Sequence, residues 1–578
     1  MPKLWRLLVA GATTAVIATS GGVASADPGG EDHGHDDIPV PTPSLPLTPP
    51  GSAGFTLIGQ SDKDGATNSD MAFYGKLAYV GNYDGFRIID ISKPSNMSVL
   101  SDVKCRAVQS DLSIFKARGR MILLQAIDRP VDRPDCAAKD TGTTTEFEGP
   151  DGSSTPERTS PTQQQRTRAS FGFEGLRMFD VTNPRRPRYL RFFQTACGAH
   201  THTLVPDKKG KAVHAYVASY PLGLGITAAV DRQAAGDLAC EAPHRKISIV
   251  TLPLKDPEAG TVRTKALSSD TEYYDPDGPP TTKDGKPAGN APRMQGCHDH
   301  QAFLPRDIVV GSCTGDAQYW SVRDRGNPTS ADGEAHTHIR REDGTTESFD
   351  FLHNAVVTWD GKVVAISDES GGGGGPRCDG EQSKRGFTFF YPLVEPGTPV
   401  DGFSELGRYL LDERPQNTEI CVSHNGSVLP LRDGSYKMVQ GFYLGGNSFY
   451  DFSNPANPDE IGFADLEDAS GKADTWSTYW YNGTVFVNGG LNRRNAEDGP
   501  KLGNRGFEAY QIRDERGVIF TDKWRYSNPQ TQEEFQVPKG TFTSRPNGNG
   551  NAQGNGNARG NGNTQGNGNT QGNGKKKR

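Results

Sequence analysis

Eight of the twelve histidines fall in short, recurring frames. They occur in Ala199-His200-Thr201-His202, Cys297-His298-Asp299-His300, His336-Thr337-His338, His353-Asn354-Ala355 and Ser423-His424-Asn425. Neutral imidazole is the commonest protein ligand for copper, zinc and iron, and several imidazoles converging without thiolates suit those ions. In the H-x-H pairs, the period-two alternation of a strand puts both side chains on one face. The candidate metal ligands are therefore His200, His202, His298, His300, His353 and His424, with Asp299 placed to orient an imidazole through its other nitrogen. Asp368 and Glu369, in Ser367-Asp368-Glu369-Ser370, are weaker candidates for a general base and read as part of a solvated loop beside the Gly371–Gly375 run. The competing interpretation is structural: His at a strand start hydrogen-bonds neighbouring backbone and serves as an entry residue of a repeat.

What must position these histidines is a seven-residue frame that recurs along the chain. Its clearest copy is Gly85-Phe86-Arg87-Ile88-Ile89-Asp90-Ile91, followed by Ser92-Lys93-Pro94. A second begins at Gly175 and runs into Thr182-Asn183-Pro184, and a third begins at Gly446 and runs into Ser453-Asn454-Pro455. Fainter copies start at Lys246, Asp316, Gly386 and Gly506, so successive starts are 60 to 90 residues apart. Around the first copy, Asp70–Phe73, Leu77–Val80, Phe86–Ile91 and Ser98–Val103 read as four strands joined by tight turns. Four antiparallel strands per repeat and seven repeats predict an all-β fold, a single seven-bladed β-propeller over residues 55–530. Either Phe55–Ile58 or Val518–Trp524 supplies the outer strand that closes the ring. The first strand of each blade lines the central channel, so four consecutive blades would aim imidazoles at one end of it, with Asp70 and Asp111 at the matching position in blades one and two.

The segment from Val80 to Pro94 resembles the LVIVD repeat, a short signature of secreted and surface β-propeller proteins. The copies at Gly175 and Gly446 resemble it nearly as well, whereas the other four lack its Asp and its Ser/Thr-x-Pro turn. The resemblance implies a propeller and export, and it implies no reaction, because propellers host many unrelated functions.

The two ends of the chain read as non-core. Residues 1–26 resemble a signal peptide: Lys3 and Arg6 precede an apolar stretch from Leu7 to Ala18, and Ala24-Ser25-Ala26 is a cleavage site with the cut after Ala26. A Pro-rich, acidic linker is expected over 27–54, and an Asn/Gly-rich disordered tail over 531–578. No transmembrane segment is expected in the mature chain. Eight cysteines in an exported chain predict disulfides, paired in sequence order as Cys105–Cys136, Cys197–Cys240, Cys297–Cys313 and Cys378–Cys421. A formal net charge of −7 gives no reason to expect nucleic acid as a partner.

The functional expectation has two forms. The first is a secreted, monomeric binding or scaffold module whose loops engage an extracellular or cell-wall ligand. The second is an extracellular metalloenzyme, an oxidoreductase or hydrolase, with copper, iron or zinc at the histidine cluster. Gly-x-Ser-x-Gly, His-Glu-x-x-His and Cys-x-x-Cys are absent, and the five-glycine run lacks the Lys-Ser/Thr of a phosphate loop. The sequence assigns no catalytic residue.

Overall fold

A computed structural model describes residues 54–63, 66–139, 173–220, 240, 244–267, 296–314, 316–329, 334–336, 338–340, 346–348, 351–369, 386–398, 404–411, 421–431, 434–465, 467–468, 471–472, 474–489, 506–512 and 526–531. The expected signal peptide, the linker up to residue 53, the tail from residue 532 and Val518–Trp524 lie outside the described residues. The strands form seven antiparallel blades of four strands in the propeller arrangement. Blade one comprises Asn68–Tyr74, Leu77–Asn82, Gly85–Asp90 and Ser98–Lys104 from the channel outward. The innermost strands of blades two to seven are Gln109–Ala117, Thr201–Pro206, Asp299–Phe303, Leu352–Val357, Gly426–Val428 and Thr475–Tyr481. Each of these packs against the next, and the last returns to Asn68–Tyr74, which closes the ring.

The recurring seven-residue frame is the third strand of every blade. Its glycine has a steric cause. Gly85 has φ +148, and a Cβ there would stand 1.9 Å from the Val103 carbonyl oxygen of the fourth strand. Gly506 repeats the crowding in blade seven, where its neighbour is the Ser61 oxygen. The fourth strand of blade seven is therefore Phe55–Ser61, paired antiparallel with Gly506–Ile512, so the N-terminal candidate closes the ring. At the other end of the frame, Asp90, Asp180 and Asp451 each accept the backbone N–H two residues on, at 2.8, 3.0 and 2.8 Å, and turn the chain toward the fourth strand.

One hydrophobic core rarely spans so long a chain, and among the described residues there are seven larger clusters and three small ones. The larger ones lie between two adjacent blades, as in Phe115, Leu124 and Met178 of blade two against Leu204, Val213 and Val250 of blade three. The seam between blades seven and one includes Phe73 stacked on Tyr481 at 4.7 Å. Truncating such a ring typically costs about 3–5 kcal/mol. Disulfides link Cys105–Cys136, Cys197–Cys240 and Cys297–Cys313 in the expected sequence order. Cys421 is also disulfide-bonded, and Cys378 lies outside the described residues. Among the described residues no helix is long and apolar enough to cross a membrane.

Tyr526–Ser527 adds a short strand to the channel side of blade one, opposite Tyr74 and Phe73. The Asn528 amide then pairs with the backbone of Ile114 in blade two, accepting its N–H at 2.8 Å and donating to its carbonyl at 2.9 Å. Residues 526–531 thus occupy the channel and climb along it toward the histidines.

Candidate metal centre

The four inner-strand histidines of blades three to six meet at one end of the channel. The ring centroids of His200 and His298 are 4.0 Å apart, those of His298 and His353 3.9 Å, and those of His353 and His424 4.1 Å. All four side chains are buried. The local backbone explains the aim. His353 sits at a β-bulge between Leu352 and Asn354, and bulges re-aim a side chain without ending the strand. His200, His298 and His424 just precede their strands, and their N–H groups bond Ala218, Ser312 and Gly441, which fixes them as the first rungs.

Their hydrogen bonds separate the four rings into two kinds. His298 donates through Nδ1 to the His353 carbonyl at 3.1 Å, and His424 through Nδ1 to the Trp476 carbonyl. Those donations fix the tautomer and leave each Nε2 as a bare lone pair, with no hydrogen-bond partner. His353 Nδ1 is likewise without a partner. His200 differs: Nδ1 donates to Asp128 Oδ2 at 3.0 Å, and Nε2 lies 3.0 Å from the Gln109 side-chain amide nitrogen.

Glu369 enters this group from the end of the second strand of blade five. Its Oε2 is 4.0 Å from His298 Nε2 and 3.7 Å from His353 Nε2, and its Oε1 is 3.6 Å from His424 Nε2. Two donors held about 2.1 Å from a shared ion stand about 3–4 Å apart for angles of about 90–150°, so these separations have the size a coordination shell needs. Ligand atoms of His298, His353 and Glu369 all lie within 4.8 Å of one another. The Tyr443 hydroxyl donates to Glu369 Oε1, and Tyr443 reaches it from a left-handed backbone conformation, φ +47. Glu369 is fully buried, and Asp368 beside it accepts the Phe351 N–H at 2.8 Å. The solvated loop expected for this pair is thus corrected, because the strand continues through Asp368 and carries Glu369 inward.

Electrostatically the site is built for neutral imidazoles. Burial pushes His298 well below its ordinary range, helped by the neighbouring rings of His200, His353 and His424. Burial does the same to His353, followed by His424 and His200, and moves His424 down to about 3. Burial and then Glu369 hold the Tyr443 hydroxyl well above its usual value, so it remains a donor. Neutral rings with free lone pairs, a carboxylate and no thiolate suit a first-row transition ion.

The remaining sequence candidates lie elsewhere. His202 and His300 pack between blades instead of joining the cluster. His202 Nδ1 is 2.8 Å from Asp111 Oδ2, and His300 packs on Trp320 at 4.9 Å. Asp70 and Asp111 are not at the histidine level. The inter-blade bonds place Ser69 and Ser110 there, with the two aspartates one residue further along in register with Asp299. His336 and His338 lie on two short strands of blade four and its loop. Trp476 of blade seven stands 4.9 Å from the His424 ring.

The protein is a seven-bladed propeller with a buried histidine–carboxylate cluster at one end of its channel. Residues 65–104, essentially blade one, match the LVIVD repeat family. No curated protein matches the chain. Among solved structures it is similar to a candidate 6-phosphogluconolactonase from Bacteroides uniformis, at 10% identity and a TM-score of 0.40, over 77% of this chain and 92% of that one. A Bacteroides fragilis structure of the same description gives 11%, 0.41, 81% and 97%. Raptor of Chaetomium thermophilum gives 10% and 0.39, over 81% of this chain and 29% of that one.

Proposed function

We propose that the chain is an exported metalloprotein that holds one transition-metal ion through His298, His353, His424 and Glu369, and that this ion is its reactive centre. The observation that carries this reading is the pair of buried, unpartnered Nε2 atoms on His298 and His424, each facing the Glu369 carboxylate. Leaving one buried ring nitrogen bare costs about 1–3 kcal/mol, and here two of them face a single carboxylate that an ion could share. Three imidazoles and one carboxylate suit iron, copper or zinc. With such an ion the chemistry would be that of an oxidoreductase or a hydrolase, the ion activating a bound small molecule. Export is supported by the signal-like first 26 residues and by the disulfides.

The full burial of the cluster favours a second reading, in which the site is a structural staple and the propeller serves as a scaffold that binds an extracellular or cell-wall ligand through its loops. Elemental analysis of natively exported, untagged protein decides whether a metal is present. About one equivalent of copper, iron or zinc is expected, and His298→Ala with His353→Ala should remove it while the β-rich circular dichroism persists. Protein that stays metal-free after reconstitution with each ion overturns the metal reading.

A further inference from the structure

The inner strands of blades one, two and three run away from the histidine level, so the turns that follow them lie at the far end of the channel. Cations crowd these turns. Lys76 of blade one, Arg118 of blade two, and Lys209 and Lys211 of blade three stand exposed between first and second strands. Arg185 and Arg186 stand exposed in the turn between the third and fourth strands of blade two. The three blades join here into one surface. Ser101 of blade one donates to the Pro184 carbonyl of blade two at 2.8 Å, and Arg120 of blade two meets Glu258 of blade three at 3.1 Å. The Asp90 carboxyl is held below its ordinary range by hydrogen bonds from Ser92, and then by Lys76 and Arg185 from two different blades.

The carboxylates of these turns are already committed. Asp180 accepts the Thr182 N–H and faces Arg188 at 3.4 Å, Asp207 accepts the Lys211 N–H, and Glu258 is taken by Arg120. Arg118, Arg185, Arg186, Lys209 and Lys211 have no ion pair among the described residues. On the same face of blades four and five the charges pair off, Arg325 with Asp307, Arg306 with Glu395 and Lys362 with Asp360. Surface charges of both signs are ordinarily interspersed in that way, and a field of one sign steers a partner of the other. In a chain of formal net charge −7 this positive field is local. Among the described residues the exposed large hydrophobics are Val99 and Leu406, neither in these turns, so the surface offers nothing to insert into a bilayer. Guanidinium groups grip carboxylate, sulfate or phosphate oxygens two at a time, and ammonium groups hold them as point charges. Cations spread over three blades suit a polymer of repeated anions better than a single ion. We propose that the turns of blades one to three form a docking surface for a polyanionic glycopolymer outside the cell, bound through its carboxylate, sulfate or phosphate groups. This gives the scaffold reading a place and a ligand chemistry; it rests on that reading and not on the metal centre.

The test measures binding of full-length mature protein to immobilised polygalacturonate, heparin and a poly(glycerol phosphate) wall polymer. Neutral dextran, duplex DNA and anionic phospholipid vesicles serve for comparison. Binding to at least one of the three glycopolymers is expected, absent on dextran and lost in about 1 M NaCl, where the screening length is about 3 Å. Which of the three binds assigns the anion. Arg185→Glu with Arg186→Glu should weaken binding at least about tenfold, Lys209→Glu with Lys211→Glu at least about threefold, and Lys362→Glu on blade five less than about twofold. These side chains are exposed, so the circular dichroism should not change. Chelator treatment should not alter binding, which keeps this result separate from that on the metal centre. No binding to any of the three, binding that survives the salt, or tighter binding to DNA or vesicles than to every glycopolymer overturns the proposal. Equal binding by wild type and both double variants also overturns it, while leaving the scaffold reading with a contact elsewhere on the chain.

Discussion

Blades three to six and blades one, two and seven meet the channel through the same backbone frame and fill it with different chemistry. At one level the first group presents His200, His298, His353 and His424, while the second presents Ser69, Ser110 and Trp476. One residue on, the carboxylates are concentrated in blades one, two and four. The frame itself is indifferent to these choices. Thr201 donates to the carbonyl of His298 at 2.7 Å, Ser477 to that of Ser69 at 3.3 Å and Asn354 to that of His424 at 3.4 Å, so three residue types make one inter-blade bond. Architecture therefore resides in the repeated third strand and the inter-blade cores, and chemistry in the places where the inner strands depart from repetition. The departure divides the channel into an imidazole sector and an oxygen sector.

The change that most directly breaks this division is Glu369→Gln. It removes the carboxylate that faces the Nε2 atoms of His298, His353 and His424 and keeps the shape, so metal affinity should fall more than about a hundredfold in a chelator-competition assay, with the fold intact. Affinity within threefold of wild type would confine the ion to the histidines. Tyr443→Phe comes next. Its hydroxyl acts through the Glu369 carboxylate, and such supporting bonds are worth about 10–100-fold in metal affinity. The carboxylate should also become freer, which a change in the ligand-field spectrum of the cobalt-substituted protein would report. An unchanged spectrum would make Tyr443 a packing residue.

The parts legible in the sequence were those written in short, repeated signals. The Gly-x-x-x-x-Asp frame revealed the third strands because Gly85 and its counterparts answer one steric demand and Asp90 and its counterparts one turn. The cysteine order and the histidine register were legible for the same reason. Glu369 was misread because it stands at a strand end, next to five glycines, and nothing local distinguishes a strand that continues inward from one that ends in solvent. A propeller blade stands edge-on to its channel, so His202 meets Asp111 of the neighbouring blade while His200 stands in the imidazole row. Residues 526–531 had no apolar pattern, since their docking relies on amide and backbone hydrogen bonds.

A histidine buried for packing alone sharpens the contrast. His244 has both ring nitrogens engaged, Nδ1 at 3.4 Å from the Cys197 sulfur and Nε2 at 3.3 Å from the Ser219 hydroxyl. Burial, with Lys246 adding, lowers it to about 3. The unfolded chain takes up this proton below about pH 6.5 and the folded chain only near 3. The group's contribution to stability is therefore complete above pH 6.5 and declines as pH falls through that window, by up to about 1.4 kcal/mol per unit. His244→Gln should shrink the loss of unfolding free energy between pH 7 and pH 4.5 by about 2 kcal/mol, measured in urea on metal-free protein. Metal content should not change, and a lost metal would bring His244 into the imidazole sector.

The smallest expected effect concerns the boundary between the sectors. His200 meets His298 edge-on in the imidazole row, with ring centroids 4.0 Å apart, yet both its nitrogens are engaged by blade two, Nδ1 by Asp128 and Nε2 by Gln109. To bind an ion, Nε2 would have to give up the Gln109 amide, and that exchange offsets much of what the new bond contributes. His200→Ala should therefore reduce metal affinity less than tenfold, far less than His298→Ala, and Gln109→Ala should increase it slightly by releasing the fourth ring. A loss on His200→Ala as large as that on His298→Ala would show that the ion draws His200 away from blade two, and the ion would then be held from four blades instead of three.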